Sequence, residues 1–216
     1  MNDISKRFDT WLSTSLADSE VGGGAWTIAR SIQKLLLDGK PVPVAGLAAE
    51  TGRSVEEVEQ ALEAMPSVER EPDGTVVGFG LSLRPTPHRY ILDNGTVLYA
   101  YCAMDTLAFP PMFGHTAIVE STCPTTGETI RMTVSPDGVS NVEPAAAVVS
   151  QAMPSDATNV RESVCKLGHF YASSEAAKPW REAHPDGVIV PVAKGFKLGG
   201  AIVTTLEKHE TSSNRR

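Results

Sequence analysis

One short stretch of the chain carries residue types whose spacing allows chemistry. In "LYAYCAMDTLAFPP", residues 98–111, Cys102 stands three positions before Asp105. If a helix begins at the cysteine, both side chains lie on one face of it and can meet. A helix N-terminus favours a thiolate, and a partly dry site raises the pKa of a carboxyl group, so the pair suits proton transfer. This spacing alone nevertheless favours a structural interpretation, in which a small buried thiol precedes an early-helix acid.

The cysteine count and the net charge limit the classes of protein to consider. Cys102, Cys123 and Cys165 are an odd number of widely spaced cysteines, and the opening "MNDISKRFDTW" lacks the pattern of a secretory signal. Reduced thiols and a cytoplasmic location are therefore expected. A net charge of -7 disfavours broad binding to nucleic acid or to an anionic membrane, and no apolar run is long enough to cross a bilayer.

Other chemical patterns in the chain are incomplete. Cys165 and His169 have a spacing seen in metal sites, but structural zinc needs four ligands and "CPTTG" at Cys123 lacks a second cysteine. Cys123 is therefore interpreted as a structural thiol. A hydrolase that pairs Cys102 with His115 or His169 stays open, because such a dyad forms in space. The glycine clusters "VGGGAW" and "GFKLGG" lack complete phosphate-binding motifs, which favours turns.

The first part of the chain has the pattern of a winged helix. Apolar residues at helical spacing predict a helix near residues 25–37, a second over residues 44–50, and a third starting at Ser54, where Glu57 completes a capping box. The turn at Pro72-Asp73-Gly74 then predicts a β-hairpin. We therefore predict a winged-helix-like domain of three helices and a β-hairpin over residues 1–83.

The remainder, residues 84–216, is predicted to be a mixed, mostly antiparallel sheet with helices, which gives an α+β fold overall. A hairpin turn at Asn94-Gly95, two β-rich runs divided by residues 124–127 and a strand within "GVIVPVAKGF" support this interpretation. Helices are predicted over residues 103–109, 156–164 and 174–184. The tail "KHETSSNRR" is expected to fray.

Several motifs in this part together resemble a known family. "YAYCAMDTLAFP", "CPTTG", "VSPDGVSNVEPA" and "VRESVCKLGHFYAS" look like the alkylmercury lyases of bacterial mercury resistance, and "GLSLRPTPHRYILD" and the helical start fit as well. The resemblance implies an enzyme that cleaves carbon–mercury bonds, with Cys102, Asp105 and Cys165 as its catalytic residues and as ligands of the Hg(II) product. It implies no organic cofactor. External thiols would remove the ion, and a mercuric reductase would receive it.

The resemblance gives the residue types a chemical purpose. Mercury(II) prefers thiolate sulfur, and two thiolates can hold it while the carbon–mercury bond weakens. The leaving carbon needs a proton, which Asp105 can supply. Tyr101 stands where the family often has tryptophan, and Lys166 where some members have a second cysteine; these differences could change substrate range and mercury release.

Two functions from other classes are retained as alternatives. The first is a winged-helix regulator that senses a metal, although its recognition helix "VEEVEQALEAM" carries four glutamates and no basic residue, which disfavours binding to DNA. The second is a mercury-binding protein without turnover, in which Asp105 would have no purpose. The N-terminal domain is instead interpreted as a cover that shields an apolar site.

Overall fold

Three helices form the first part of the fold in the computed structural model, which describes Thr10, residues 25–153 and residues 159–213. They are α1 (Ala25–Leu36), α2 (Val44–Thr51) and α3 (Val55–Glu63). The predicted capping box is present, since Ser54 accepts from the amide of Glu57 and the Glu57 carboxylate accepts from the amide of Ser54. Helix α1 buries an apolar face that includes Ile28, Ile32 and Leu36.

The predicted hairpin follows these helices. Strands β1 (Glu69–Arg70) and β2 (Val76–Phe79) pair in antiparallel fashion across the turn at residues 72–74. The three helices and this hairpin confirm the winged-helix-like arrangement. The α+β fold class is confirmed with it.

An eight-stranded antiparallel sheet runs through most of the protein. After β1 and β2 it contains β3 (Leu81–Ser82), β4 (His88–Leu92), β5 (Val97–Ala100), β6 (Ala117–Thr122), β7 (Thr129–Ser135) and β8 (Gly138–Glu143). Their order is β1-β2-β3-β5-β4-β6-β7-β8. Because β3 pairs with both β2 and β5, the sheet joins the wing to the rest of the chain. The domain boundary at residue 83 stays a prediction, and the sheet is continuous on both sides of it.

A smaller sheet and four helices complete the described chain. The sheet has the order β10-β9-β11 and contains β9 (Val148–Gln151), β10 (Phe170–Tyr171) and β11 (Val188–Pro191). The helices are α4 (Ala103–Phe113), α5 (Val160–Ser163), α6 (Lys178–Ala183) and α7 (Val192–Ser213), and a 3-10 turn spans Cys165–Leu167.

Helix α4 lies at the centre of this arrangement. It packs against α7, β9 and the strands of the large sheet, and Ala103, Met104, Leu107 and Phe109 are buried. A helix that is apolar on all sides belongs inside a protein rather than on its surface. The first turn of α4, which carries the chemical residues, is therefore held from several directions.

Several predicted elements differ from the structure. Helix α4 continues to Phe113 through Pro110-Pro111, and helix α6 covers only the later part of residues 174–184. The strand in "GVIVPVAKGF" ends at Pro191, and α7 begins at the next residue. Residues 208–213 of the tail that is expected to fray belong to α7, and its fraying stays a prediction. Only the last part of the helix predicted over residues 156–164 is described, as α5. Residues 156–158, the glycine-rich residues 21–24 and residues 214–216 lie outside the described part.

In the described part of the chain, no helix combines the length and the apolar character that crossing a bilayer requires.

Candidate active site

The junction between β5 and α4 positions the first two chemical residues. Strand β5 ends at Ala100, and Cys102 is the N-cap residue of α4, with extended backbone. The Asp105 amide donates to the Cys102 thiol over 3.4 Å, and the Cys102 amide donates to the Asp105 carboxylate over 3.2 Å. A thiol and an aspartate thus form the reciprocal capping box that serine and glutamate usually form. The predicted juxtaposition of Cys102 and Asp105 follows from this local geometry.

The third residue, Cys165, comes from the 3-10 turn after α5. The loop that follows it packs directly on the N-terminus of α4, because the Ala103 amide donates to the Gly168 carbonyl over 3.0 Å. A side chain at Gly168 would lie 3.0 Å from Cβ of Cys102, a tight contact, so glycine favours this close approach. As a result, Sγ of Cys165 lies 3.9 Å from Oδ2 of Asp105.

The structure therefore brings the three predicted site residues together. One ligand atom from each of Cys102, Asp105 and Cys165 lies within 4.8 Å of the other two. Both thiols are buried and reduced, and Asp105 is partly buried. Two sulfur atoms beside one carboxylate form a donor set suited to a soft metal ion.

The surroundings change the proton affinity of this cluster. Burial raises the pKa of Asp105 to about 7, although the hydrogen bonds from Cys102 oppose the shift. The hydrogen bond with Cys165, burial and the negative charge of Asp105 together raise the pKa of Cys102 well above its usual value. The helix N-terminus alone would lower the pKa of this thiol, so the buried neighbours outweigh it. At neutral pH Cys102 holds its proton, and Asp105 can either accept or donate one.

A cavity of about 150 Å³ opens next to the three residues. Its walls come from both parts of the fold: Trp26 and Gln33 on α1, Phe79 and Gly80 at the wing, Met104 and Phe109 on α4, and Ile202 and Leu206 on α7. Apolar side chains form most of this surface, which disfavours water and ions. The helical N-terminal part thus closes one side of the cavity, as the interpretation of this part as a cover predicts.

A polar network anchors the segment that carries Cys165. The guanidinium of Arg161 lies 3.9 Å from the centre of the Tyr101 ring and forms an ion pair of 2.7 Å with Glu69 on the wing. The Tyr101 hydroxyl donates to the Ser67 carbonyl over 3.0 Å, and the Arg161 amide donates to the Ser67 hydroxyl over 3.2 Å. This network joins the residue before Cys102, the helix before Cys165 and the wing.

The remaining candidate residues lie elsewhere. Cys123 is buried in the turn between β6 and β7, where its amide donates to the Glu128 carbonyl. His115 contacts the Tyr90 hydroxyl, and His169 stacks on His88. Among the described residues, neither His115 nor His169 lines the cavity or joins the cluster with Cys102, which disfavours the zinc and Cys/His hydrolase alternatives.

The sequence did not reveal the residues of α1 and α7 that line the cavity, nor the role of Arg161. Arg161 stands four positions before Cys165, and the glutamate next to it follows the pattern of a solvated helix face. Contacts between residues that are far apart in sequence leave no local signal. Only the unusual position of a glutamine, Gln33, on the apolar face of α1 could have drawn attention to this wall.

A buried pair of thiols with an adjacent carboxyl group is a donor set typical of the class of proteins that bind soft metal ions. Comparisons with known proteins make this class specific. The sequence profile described as Alkylmercury lyase matches residues 81–204, and the profile described as Helix-turn-helix domain of alkylmercury lyase matches residues 7–80.

Individual relatives agree with these profiles. The alkylmercury lyase of Staphylococcus epidermidis is 45% identical over 199 residues, which cover 92% of this chain and 91% of the relative. The alkylmercury lyase of Streptomyces lividans is 40% identical over 205 residues, which cover 93% of this chain and 94% of the relative. The crystal structure of the mercury-bound form of MerB2 matches with a TM-score of 0.75 at 27% identity, covering 95% of this chain and 100% of that one. The chain belongs to the alkylmercury lyase family, which confirms the resemblance drawn from its motifs.

Proposed function

We propose that this protein is an organomercurial lyase that cleaves the carbon–mercury bond of alkyl- and arylmercury compounds by protonolysis. The products are a hydrocarbon and an Hg(II) ion held by two cysteines. The observation that carries the proposal is the cluster of Cys102, Asp105 and Cys165, whose ligand atoms lie within 4.8 Å of one another beside an apolar cavity. The cavity receives the organic group, and the cluster receives the metal.

The first step is capture of the mercury atom by a thiol. Cys102 binds R–Hg⁺, and its proton departs with the ligand that mercury carried in solution. The Cys165 thiol then transfers its proton to the ionised Asp105 carboxylate, 3.9 Å away, and its sulfur binds the same mercury atom. Two thiolates now donate electron density to mercury, which weakens the bond from mercury to carbon.

The second step is delivery of the proton to carbon. Protonated Asp105 donates its proton to the carbon bound to mercury, the electron pair of the carbon–mercury bond forms the new C–H bond, and R–H leaves. Mercury(II) stays on the two thiolates, and Asp105 is ionised again. A carboxyl group whose pKa lies at about 7 can both take up the thiol proton and release it near neutral pH.

Release of the metal completes the cycle. Because two thiolates hold mercury(II) firmly, we propose that external thiols remove the ion by exchange and that a mercuric reductase receives it. No organic cofactor takes part in this proposal. A cytoplasmic location, where small thiols are abundant, stays a prediction.

The N-terminal part contributes a wall of the active site in this proposal. Helix α3 occupies the position of a recognition helix, yet its sequence "VEEVEQALE" presents glutamates without a basic residue. Phosphate-lined grooves repel such a surface. The residues of α1 and the wing that line the cavity support a covering role instead.

The test is hydrocarbon release from methylmercury and phenylmercury with excess thiol, measured by gas chromatography. The native protein is expected to form methane and benzene over many turnovers, whereas Cys102→Ser, Asp105→Ala and Cys165→Ser lose nearly all activity. Cys123→Ser is the matched control, because this cysteine lies outside the cluster, and it is expected to retain turnover. A native protein that binds mercury without releasing hydrocarbon would support the storage or sensor alternatives.

A further inference from the structure

Two polar groups on the cavity wall lack hydrogen-bond partners. Nε1 of Trp26 and Oε1 of Gln33 are both buried, and neither has a partner among the described residues. The exposed fractions of the two residues are 8% and 5%. They stand seven positions apart, which is two turns of α1, so they face the same side of the helix. Both line the cavity that opens next to the cysteines.

The position of Gln33 relative to the chemical residues is defined by its contacts. A side chain at Gly80 would lie 2.8 Å from Nε2 of Gln33 and 3.2 Å from the ring of Phe109. The Gly80 carbonyl in turn accepts from the amide of Tyr101, the neighbour of Cys102. Phe109 stands four residues after Asp105 on α4, which is about 6 Å along the helix axis. Because Gln33 and Phe109 both lie next to Gly80, Gln33 lies about this far along α4 from the proton donor.

A buried polar group without a partner is unfavourable unless something in the cavity bonds to it. Most side chains that line the cavity are apolar, and the Gln33 amide is a group on this wall that can bond to a polar atom there. Among the described residues that line the cavity there is no lysine, arginine or histidine, whereas the acidic Asp105 is one of them. This charge balance disfavours an anionic group. A neutral hydroxyl group fits, because it both donates to an amide oxygen and accepts from an amide or indole N–H.

We propose that Gln33 is a specificity residue that binds a hydroxyl substituent on the organic group of an arylmercury substrate. The inference rests on the proposed function, because mercury at the cluster fixes one end of the substrate. The aromatic ring then lies along α4 beside Phe109, and the hydroxyl group reaches the amide. The Trp26 indole N–H provides a second donor on the same wall.

The test compares 4-hydroxyphenylmercury with phenylmercury as substrates of the native protein, Gln33→Leu and Gln33→Ala. The measured quantity is the ratio of kcat/KM for the two substrates, since comparing this ratio between proteins cancels the intrinsic effect of the hydroxyl group on bond cleavage. Leucine is preferred to methionine because a thioether could itself bind mercury. Gln60→Leu is the matched control, because Gln60 is exposed on α3.

The ratio is expected to fall roughly threefold to tenfold in both Gln33 variants, as loss of one neutral hydrogen bond predicts, and to keep its native value in Gln60→Leu. The use of two variants guards against one that fails to fold. An unchanged ratio in a folded Gln33 variant that still releases benzene would overturn this inference alone. If the native protein released neither benzene nor phenol, the proposed function itself would fail.

Discussion

Replacing Asp105 by asparagine removes a titrating group from the interior and keeps an oxygen that can accept from the Cys102 amide. The pKa of Asp105 is raised from 3.8 to about 7 by burial. Between these two pH values the folded protein binds a proton that the unfolded chain has already lost. The free energy of unfolding therefore falls as pH rises through this interval, and the loss is complete above pH 7.

The size of the effect follows from the interval. At about 1.4 kcal/mol for each tenfold step in proton affinity, the native protein loses up to about 4 kcal/mol between acidic and alkaline pH. The asparagine side chain cannot titrate, so the variant escapes this loss. From pH 5 to pH 8 the native protein passes through about two of these steps, so Asp105→Asn is expected to gain about 2 to 3 kcal/mol of stability relative to the native protein.

Urea unfolding followed by tryptophan fluorescence measures this difference at the two pH values. Titrating groups away from the cluster are common to both proteins and cancel in the comparison. The pKa of Cys102 lies well above its usual value, so this thiol stays protonated at both pH values. Asp137→Asn is the matched control, because Asp137 is exposed in the turn between β7 and β8, and its stability difference is expected to stay constant. If the stability difference for Asp105→Asn also changed by less than about 0.5 kcal/mol, the buried, proton-binding role of Asp105 would be refuted.

Further predictions concern the anchoring of the site and the packing of α7. Arg161→Ala removes the ring contact with Tyr101 and leaves Glu69 without its ion pair, so stability is expected to fall by about 2 kcal/mol together with the rate of hydrocarbon release. Lys166→Ala removes an exposed ion pair and is expected to cost less than about 0.5 kcal/mol; equal effects of the two changes in urea unfolding would contradict the anchoring role. Gly195→Ala would bring a methyl group within 2.4 Å of Val149 and is expected to destabilise the protein by about 1 to 3 kcal/mol. In Gly200→Ala the new methyl group has no atom within 4 Å, so this change is expected to stabilise helix α7 by about 0.5 to 1 kcal/mol. If the melting temperatures of the Gly195→Ala and Gly200→Ala variants both rose or both fell, this packing of α7 would be contradicted.

Local signals in the sequence explain why the winged-helix pattern and the hairpins could be predicted. The capping box at Ser54, the turn at residues 72–74 and the Asn94-Gly95 turn each act within a few residues. The Cys102–Asp105 pair belongs to the same category, because a capping box fixes both residues. Such features need no knowledge of the rest of the fold.

Helix α7 shows where local signals fail. Its glycines disfavour a helix in isolation, and the interpretation of "GFKLGG" as a turn is wrong, because these residues lie within α7. In the structure one of these glycines allows close packing, since a side chain at Gly195 would lie 2.4 Å from Val149 and 3.1 Å from Leu107 on α4. Tertiary packing thus stabilises a helix that intrinsic propensity does not favour.

The same reasoning applies to the site. Cys165 lies sixty residues from Asp105, and only the family resemblance linked them before the structure placed their atoms 3.9 Å apart. Arg161 and Gln33 act through contacts with the wing and with α4, which no local spacing encodes. The roles of Cys102, Asp105 and Cys165 in catalysis stay predictions that experiments must decide.

Proton delivery by Asp105 can be tested in a single turnover, by cleavage of phenylmercury without external thiol. One equivalent of phenylmercury is mixed with the native protein or with Asp105→Asn, benzene is measured by gas chromatography, and the protein is weighed by intact mass spectrometry. The native protein is expected to release one equivalent of benzene and keep mercury, whereas Asp105→Asn is expected to keep an intact phenylmercury group. Release of benzene by Asp105→Asn at the native rate would contradict proton delivery by Asp105.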